Sequence, residues 1–197
     1  SHGFASLLGK FDITGDIEYL NDPYKNLVKE IFDTSKPIKL HANGALSGDK
    51  NFVFELAGVQ KEKDGNKINL AKSFLKFTIN GDKKITGASF ANDLIDFTGK
   101  EGIAIKVKNI DYDMKYETPI EPKMISKAFV NSIYKFELGG IDVSLGAEAL
   151  QIGKITSESK LTVLSDTLTQ DDTSTIEKIK YANFEFKDFL IKSKVAN

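Results

Sequence analysis

The segment IAIKVKNIDYDMKY, residues 103–116, changes its hydrophobic pattern halfway along its length. Apolar side chains first occupy odd positions (Ile103, Ile105, Val107) and then even positions (Ile110, Tyr112, Met114, Tyr116). Successive side chains of a β-strand point to opposite faces of its sheet, so one extra residue exchanges the two faces. The pattern therefore predicts a long strand with an irregularity at residues 108 and 109.

A second segment, KIKYANFEFKDF at residues 178–189, changes phase in a similar way. Its apolar residues also move from odd to even numbers, and Asn183 takes the place of Asn109 when the two segments are aligned. Asparagine tolerates the left-handed backbone conformation that bulges often need. We therefore predict a β-bulge at each asparagine that bends a strongly curved sheet. The alternative at residues 108 and 109 is a short hairpin.

Short alternating segments separated by polar turns occupy most of the chain. Residues 37–46 and 51–58 are typical, and a Gly-Asp turn joins them. Two other segments, residues 21–33 and 121–136, space their apolar residues as amphipathic helices do. The predicted fold is mainly β: a long curved antiparallel sheet, or an open barrel or sandwich, of about ten strands with two amphipathic helices packed on it.

Composition excludes several classes of function. The 197 residues carry a net charge of −1, and all 27 basic residues are lysines, so the chain lacks the side chain best suited to phosphate and guanine recognition. No nucleic-acid partner is expected. The chain has no cysteine and begins Ser-His rather than Met. We expect residues 1–9 to be a tag remnant and lead-in, residues 10–197 to form one β-rich domain, and any membrane anchor to have been removed.

Catalytic chemistry finds little support in the sequence. His41 is the one histidine outside the first two residues, and no phosphate-binding loop is present, so we predict no catalytic residues, no metal site and no cofactor. Asp111, Asp113 and Glu117 lie at alternate positions of one predicted strand, and their carboxylates are expected to form its solvent-exposed face. The alternative is a carboxylate-based hydrolase. Residues 170–177 are expected to form a flexible connection.

The fourteen phenylalanines exceed what two thin helices need. One interpretation is an ordinary sandwich core. The functional interpretation is an apolar groove on a curved sheet that binds an acyl chain or a partner helix. The candidate binding residues are Phe74, Phe77, Phe90, Phe97, Phe129, Phe136, Phe184 and Phe186.

The succession of residues 102–117, 136–155 and 160–186 resembles the YdgA-like family of bacterial envelope proteins of unknown function. The earlier segment KPIKLHANGALSGDKNFVFELAG, residues 36–58, resembles the strand–Gly–strand pairs of the same family. The resemblance spans residues 10–195 and rests on β-patterning. It implies a periplasmic body behind an N-terminal inner-membrane anchor, and it supplies no catalytic residues.

Three functional hypotheses follow from these observations. The first is a non-enzymatic envelope module whose curved sheet binds a lipid-like ligand or a protein segment. The second is a scaffolding domain of an envelope complex that pairs through its sheet edges. The third is the hydrolase that uses the three carboxylates.

Overall fold

The computed structural model describes residues 9–20, 24–124, 130–164 and 167–196. Strands dominate these residues, and one α-helix lies between the first two strands. The elements are β1 (Lys10–Ile17), α1 (Tyr24–Phe32), β2 (Ile38–Ala45), β3 (Lys50–Leu56), β4 (Val59–Lys63), β5 (Asn66–Leu70), β6 (Ser73–Ile79), β7 (Ile85–Thr98), β8 (Ile103–Ile120), β9 (Ser132–Leu145), β10 (Glu148–Ile152), β11 (Ile155–Leu164), β12 (Thr167–Tyr181) and β13 (Phe184–Ala196).

All thirteen strands belong to one antiparallel sheet in which neighbours in sequence are neighbours in space. Three pairs of short strands, β3 with β4, β5 with β6 and β10 with β11, continue one another after interruptions of two residues. The sheet is therefore a meander that begins at β1 and ends at β13; among the described residues β4, which pairs only with β5, forms a further edge. Polar turns with left-handed residues, such as Asp64 at φ 54° before Gly65, close the hairpins.

The mainly β prediction is confirmed, but its finer details are not. The sheet has thirteen strands instead of about ten because the interruptions split three long strands in two. Where the structure describes the predicted helix at residues 121–136, it forms only a 3-10 turn at Pro122–Met124: residues 132–136 belong to β9, and residues 125–129 lie outside the described residues. Sheet pairing with β8 and β11 overrides the local helical spacing there. Residues 170–177, predicted to be a flexible connection, lie within β12.

One irregularity crosses eight strand positions of the sheet at the same level, and we call it the crease. At the crease, the facing residues of neighbouring strands are not paired, and pairing resumes beyond them in the same register. The skipped residues are Ala57 and Gly58, Ala71 and Lys72, Asp93, Asn109, Gly139, Gly153 and Lys154, Glu177, and Asp188. The crease divides the sheet into an upper part, which contains β1, β2, β3, β6 and β11, and a lower part, which contains β4, β5 and β10.

Left-handed backbone marks the crease where strands run through it without a break. Asn109 in β8 has φ 47° and Asp188 in β13 has φ 57°. Opposite Asn109, a Cβ added to Gly139 would lie 2.9 Å from the Asn109 side-chain nitrogen, so a larger residue does not fit there. The adjacent Gly140 has φ 148°, and an added Cβ would lie 3.0 Å from the Ile152 carbonyl oxygen. Both glycines are therefore required by the close approach of β8 and β10.

Asn92 secures the crease between β6 and β7. Its side chain is 2% exposed, and its amide nitrogen donates to the Ala71 carbonyl at 3.0 Å and to the Ser73 hydroxyl at 2.9 Å. Its amide oxygen accepts from the Leu94 backbone N–H at 3.0 Å. Backbone groups that the skipped ladder leaves unpaired thus find partners in one buried side chain.

The bulge prediction is partly correct. The left-handed conformation at Asn109 is confirmed, and the alternative hairpin at residues 108 and 109 is wrong because β8 is continuous. Two residues do not face one, however, since Asp93 and Gly139 are skipped opposite Asn109 and the register is unchanged. The analogy with Asn183 is wrong: it forms, with Ala182 at φ 51°, the two-residue turn between β12 and β13. A two-residue turn and the crease both shift the alternation of apolar residues from odd to even positions, so the sequence pattern does not distinguish them.

We predict that Asn109→Gly is tolerated within about 1 kcal/mol, whereas Asn109→Val lowers the free energy of unfolding by about 1–3 kcal/mol, since a β-branched residue is strained at positive φ. Thermal and denaturant melts measure both variants. Asp111, an exposed β8 position in regular pairing, is the matched control. There the order reverses, with valine more stable than glycine. Equal or reversed stabilities at Asn109 would contradict the left-handed assignment.

Candidate functional site

Residues three positions apart flank the crease in every strand position that crosses it, and most of these residues are apolar. In a regular strand, residues three apart point to opposite faces, and the crease cancels this alternation. In β13 the rings of Phe186 and Phe189 lie with centroids 6.3 Å apart, which places them on the same side of the sheet. The pairs are Leu56 and Val59, Leu70 and Ser73, Asn92 and Ile95, Val107 and Ile110, Leu138 and Ile141, Ile152 and Ile155, Ile176 and Ile179, and Phe186 and Phe189. Six of these eight pairs are entirely apolar.

This side of the sheet, which we call the apolar face, carries rows of side chains that run across the strands. The first row below the crease is apolar at each position: Val59, Leu70, Ile95, Val107, Ile141, Ile152, Ile179 and Phe186. The second contains Ile68, Phe97, Ile105, Val143, Leu150, Tyr181 and Phe184, and it ends at Lys61 on β4. With strands about 4.8 Å apart, eight strands give an apolar track roughly 34 Å long.

Above the crease the same face is aromatic at its centre and polar toward one end. Phe54, Leu75, Phe90, Tyr112 and Phe136 lie side by side in one row. Edge-to-face contact joins Phe54 and Phe77 at 6.2 Å between ring centroids, and the Tyr112 and Tyr134 rings are also 6.2 Å apart. Such contacts fix the rings in place without covering them.

The polar end of the face lies on β11, β12 and β13 and centres on Asp172. Its carboxylate accepts hydrogen bonds from the Gln170 amide at 3.0 Å and the Ser193 hydroxyl at 3.1 Å. Hydrogen bonding from Ser159 and Gln170 lowers the pKa of the Asp172 carboxyl below its usual value, so the group is charged at neutral pH. The face therefore joins a long apolar track to a fixed, hydrogen-bonded negative charge.

Little covers the apolar face. The chain exposes 13309 Å² of accessible surface, whereas a compact monomer of 21.8 kDa exposes about 9,300 Å². Ile105 remains 39% exposed, Tyr181 46% and Phe184 67%. Contiguous exposed apolar surface of this kind marks interaction sites in soluble proteins.

The helix does not provide the missing cover. No residue of α1 is buried, and Leu27 and Ile31 on its apolar side are exposed. One of its side chains, Glu30, makes an ion pair with Lys63 of β4 at 4.0 Å. The prediction that α1 packs on the sheet is therefore not confirmed. Among the described residues, no helix is long and apolar enough to cross a membrane.

The structure distributes the predicted phenylalanines unevenly. Phe77, Phe90, Phe97, Phe136, Phe184 and Phe186 lie on the apolar face, on both sides of the crease. Phe74 lies on the opposite face, where it is paired with Glu55 and Ala91. Phe129 lies outside the described residues.

Sequence reasoning missed the aliphatic half of the site. The track depends on Ile95, Ile141, Ile152 and Ile179, which the count of aromatics could not find. The signal that could have found them is the recurrence, strand after strand, of apolar residues spaced by three.

The opposite face is polar and laced with ion pairs, including Lys106 with Asp96 at 2.9 Å and Lys108 with Asp142 at 2.7 Å. A depression of about 660 Å³ on this face is lined by Asp111 and Asp113 together with Lys135, Glu137, Glu158, Lys160, Asp171 and five uncharged residues. Glu117 pairs with Lys160 at 3.1 Å. Within the described chain, no group of three His, Asp or Glu side chains is placed to hold a metal ion.

Comparison of the chain with protein-family models, with curated proteins and with solved structures finds no match. The resemblance to YdgA-like envelope proteins therefore stays a prediction. The functional argument has to come from the two faces and the edges of the sheet.

Burial among the aromatic side chains raises the pKa of the phenols of Tyr112 and Tyr116, and the nearby Tyr134 adds to both shifts. The folded protein holds these protons more tightly than the unfolded chain does. Its free energy of unfolding therefore declines as pH rises from about 10 through the raised values. We expect a smaller decline in a Tyr112→Phe, Tyr116→Phe double variant, measured by denaturant unfolding at stepped alkaline pH. An unchanged decline would contradict the burial of these phenols.

Proposed function

We propose that this protein is a non-enzymatic binding module of the bacterial envelope that takes up a lipid-like ligand on the apolar face of its sheet. The observation that carries the proposal is the uncovered apolar track below the crease. Its two rows contain no charged side chain from Ile68 to Phe184 or from Val59 to Phe186. A ligand that lies there meets hydrocarbon and aromatic rings.

The chemistry of the track favours an extended hydrocarbon chain. Backbone N–H and C=O groups within the sheet are paired along the ladders on either side of the crease, so the face offers a ligand few hydrogen bonds. Burying apolar surface yields roughly 25 cal/mol per Å², which makes hydrophobic contact the main source of affinity. A track roughly 34 Å long suits a long chain laid across the strands.

The polar end of the face would set the direction of such a ligand. Asp172 lies in the third row above the crease, two rows beyond Ile176, so roughly 13 Å separates the two residues along β12. An amphiphile with a hydroxyl-bearing or cationic head group would place that group near Asp172 and its chain along the track. A few fixed polar groups on an otherwise apolar site commonly supply orientation. The compartment, the periplasm, follows from the resemblance to envelope proteins.

We predict that a fluorescently labelled long-chain fatty acid binds the protein saturably and that Ile105→Glu weakens this binding at least about tenfold, since a charge in the middle of the track must be desolvated by the chain. Ile105 is 39% exposed, so its substitution leaves the fold intact. Fluorescence titration measures the dissociation constant.

The matched control is Ala104→Glu, the adjacent position of the same strand on the polar face, where it is paired with Thr98 and Ser144. This variant should bind the labelled fatty acid as the wild type does. Equal weakening by both variants, or no saturable binding by the wild type, would contradict the proposal. Native mass spectrometry after gentle purification gives an independent measurement, because a resident apolar molecule would travel with the protein.

A second candidate function, scaffolding within an envelope complex, is favoured by the open edges of the sheet. Among the described residues, β1 pairs only with β2, and β13 pairs only with β12. An exposed edge strand presents unpaired backbone groups that can add a strand from a partner. Pull-down of an envelope protein by ligand-free protein, abolished by proline within β13, would support this candidate over lipid binding.

A further inference from the structure

The edges formed by β1 and β13 differ in charge on the polar face. On β1 that face presents Asp12 and Asp16, both exposed, together with Lys10 at the start of the strand, so its net charge is negative. On the upper part of β13 it presents Lys192 and Lys194, also exposed. Lys194 makes a surface ion pair with Asp171 at 3.2 Å, and its side chain is still 70% exposed. One edge is therefore acidic and the other is basic.

The edges also match in hydrophobicity on the apolar face. β1 presents Phe11, Ile13 and Ile17, and the upper part of β13 presents Phe189, Ile191 and Val195. Ile13 is 58% exposed, Ile191 53% and Val195 52%. An edge that exposes apolar side chains on one face and charges on the other resembles an interior strand that lacks its neighbour.

The register of the sheet defines how the two edges would meet. Following paired residues across the upper part leads from Ile13 on β1 to Ser193 on β13 along one row. β1 and β13 run in opposite directions, because they are the first and tenth positions of an antiparallel meander. A second copy added beside the first without a shift therefore pairs its β13 antiparallel to β1.

In this register Asp12 of one copy lies opposite Lys194 of the next, and Asp16 lies diagonal to Lys192. Cross-strand pairs of opposite charge stabilise a sheet, and like charges in the same place destabilise it. On the other face Phe11 meets Val195, and Ile17 meets Phe189. A single arrangement thus brings together one direct pair of opposite charges, one diagonal pair and two apolar pairs, while Ile13 lies opposite Ser193 and Asp16 opposite Leu190.

We propose that β13 of one copy adds to β1 of another, so that copies of this chain assemble head to tail into a continuous sheet. The contact is heterologous, since different edges meet, and each added copy leaves one free edge of each kind. In this assembly β1 and β2 separate the apolar tracks of successive copies, because these two strands lie only in the upper part of the sheet. The proposal rests on the edges and not on ligand binding, so either can fail without the other.

Two charge-reversed variants test the pairing. Asp12→Lys with Asp16→Lys makes both edges basic, and Lys192→Glu with Lys194→Glu makes both acidic. Each variant alone should remain monomeric in sedimentation velocity at concentrations where the wild type forms oligomers beyond the dimer. An equimolar mixture should regain oligomers, because each acidic edge then meets a basic one. Added salt should weaken wild-type assembly.

A cysteine trap tests the register, and the absence of native cysteine leaves a clean background. Asp12→Cys and Lys194→Cys proteins, mixed and oxidised, should form the mixed disulfide faster than either homodisulfide, since opposed antiparallel residues lie within disulfide range. Circular dichroism and the fatty-acid titration establish that all variants are folded and that the ligand face is intact. A wild type that stays monomeric at millimolar concentration, a mixture that does not reassociate, or no preference for the mixed disulfide would overturn the proposal.

Discussion

An antiparallel sheet with one apolar face is stable only if that face is shielded from water, and this constraint governs the whole molecule. Here lateral contact between neighbouring side chains gives only partial shielding, since no residue of α1 is buried and the part of the chain that the structure describes forms a single sheet. Among the described residues, the buried large apolar side chains are Val59, Ile85, Ile120, Leu138 and Leu161. A sheet normally buries its apolar face against another layer. This uncovered face is the basis of the proposal that the protein binds a lipid-like ligand.

The crease keeps that face continuous. In each long strand, the apolar residues on the two sides of the crease are three positions apart. If the strand alternated regularly through this point, the apolar residues beyond it would lie on the polar face. Left-handed residues at Asn109 and Asp188, glycines at 139 and 140, and the hydrogen bonds of Asn92 accommodate the change without shifting the register. Each device is local, but all eight strand positions use one at the same level. The aromatic upper part and the aliphatic lower part therefore form one surface.

The sequence predicts the strand-rich architecture because alternation and turn signals are local properties. It also predicts left-handed backbone at Asn109, since the phase change around that residue is visible within one strand. The alignment of Asn109 with Asp93, Gly139 and Glu177 depends on pairing between distant segments, and no local pattern contains it. The same limitation explains the errors at residues 132–136, where helical spacing gave way to sheet pairing, and at Phe74, whose face is set by its partner strands.

The central claim is that the apolar face is open to solvent in the isolated protein and is covered when a lipid-like molecule binds. Carbene footprinting read by mass spectrometry tests it most directly, because a photoactivated diazirine labels whatever side chains it can reach. The account predicts heavy labelling of Ile105, Tyr181 and Phe184, little labelling of Ile120 and Leu138, and loss of the first set of labels when a long-chain fatty acid is added. Labelling of Tyr181 and Phe184 as low as that of Ile120 in the free, monomeric protein would contradict it.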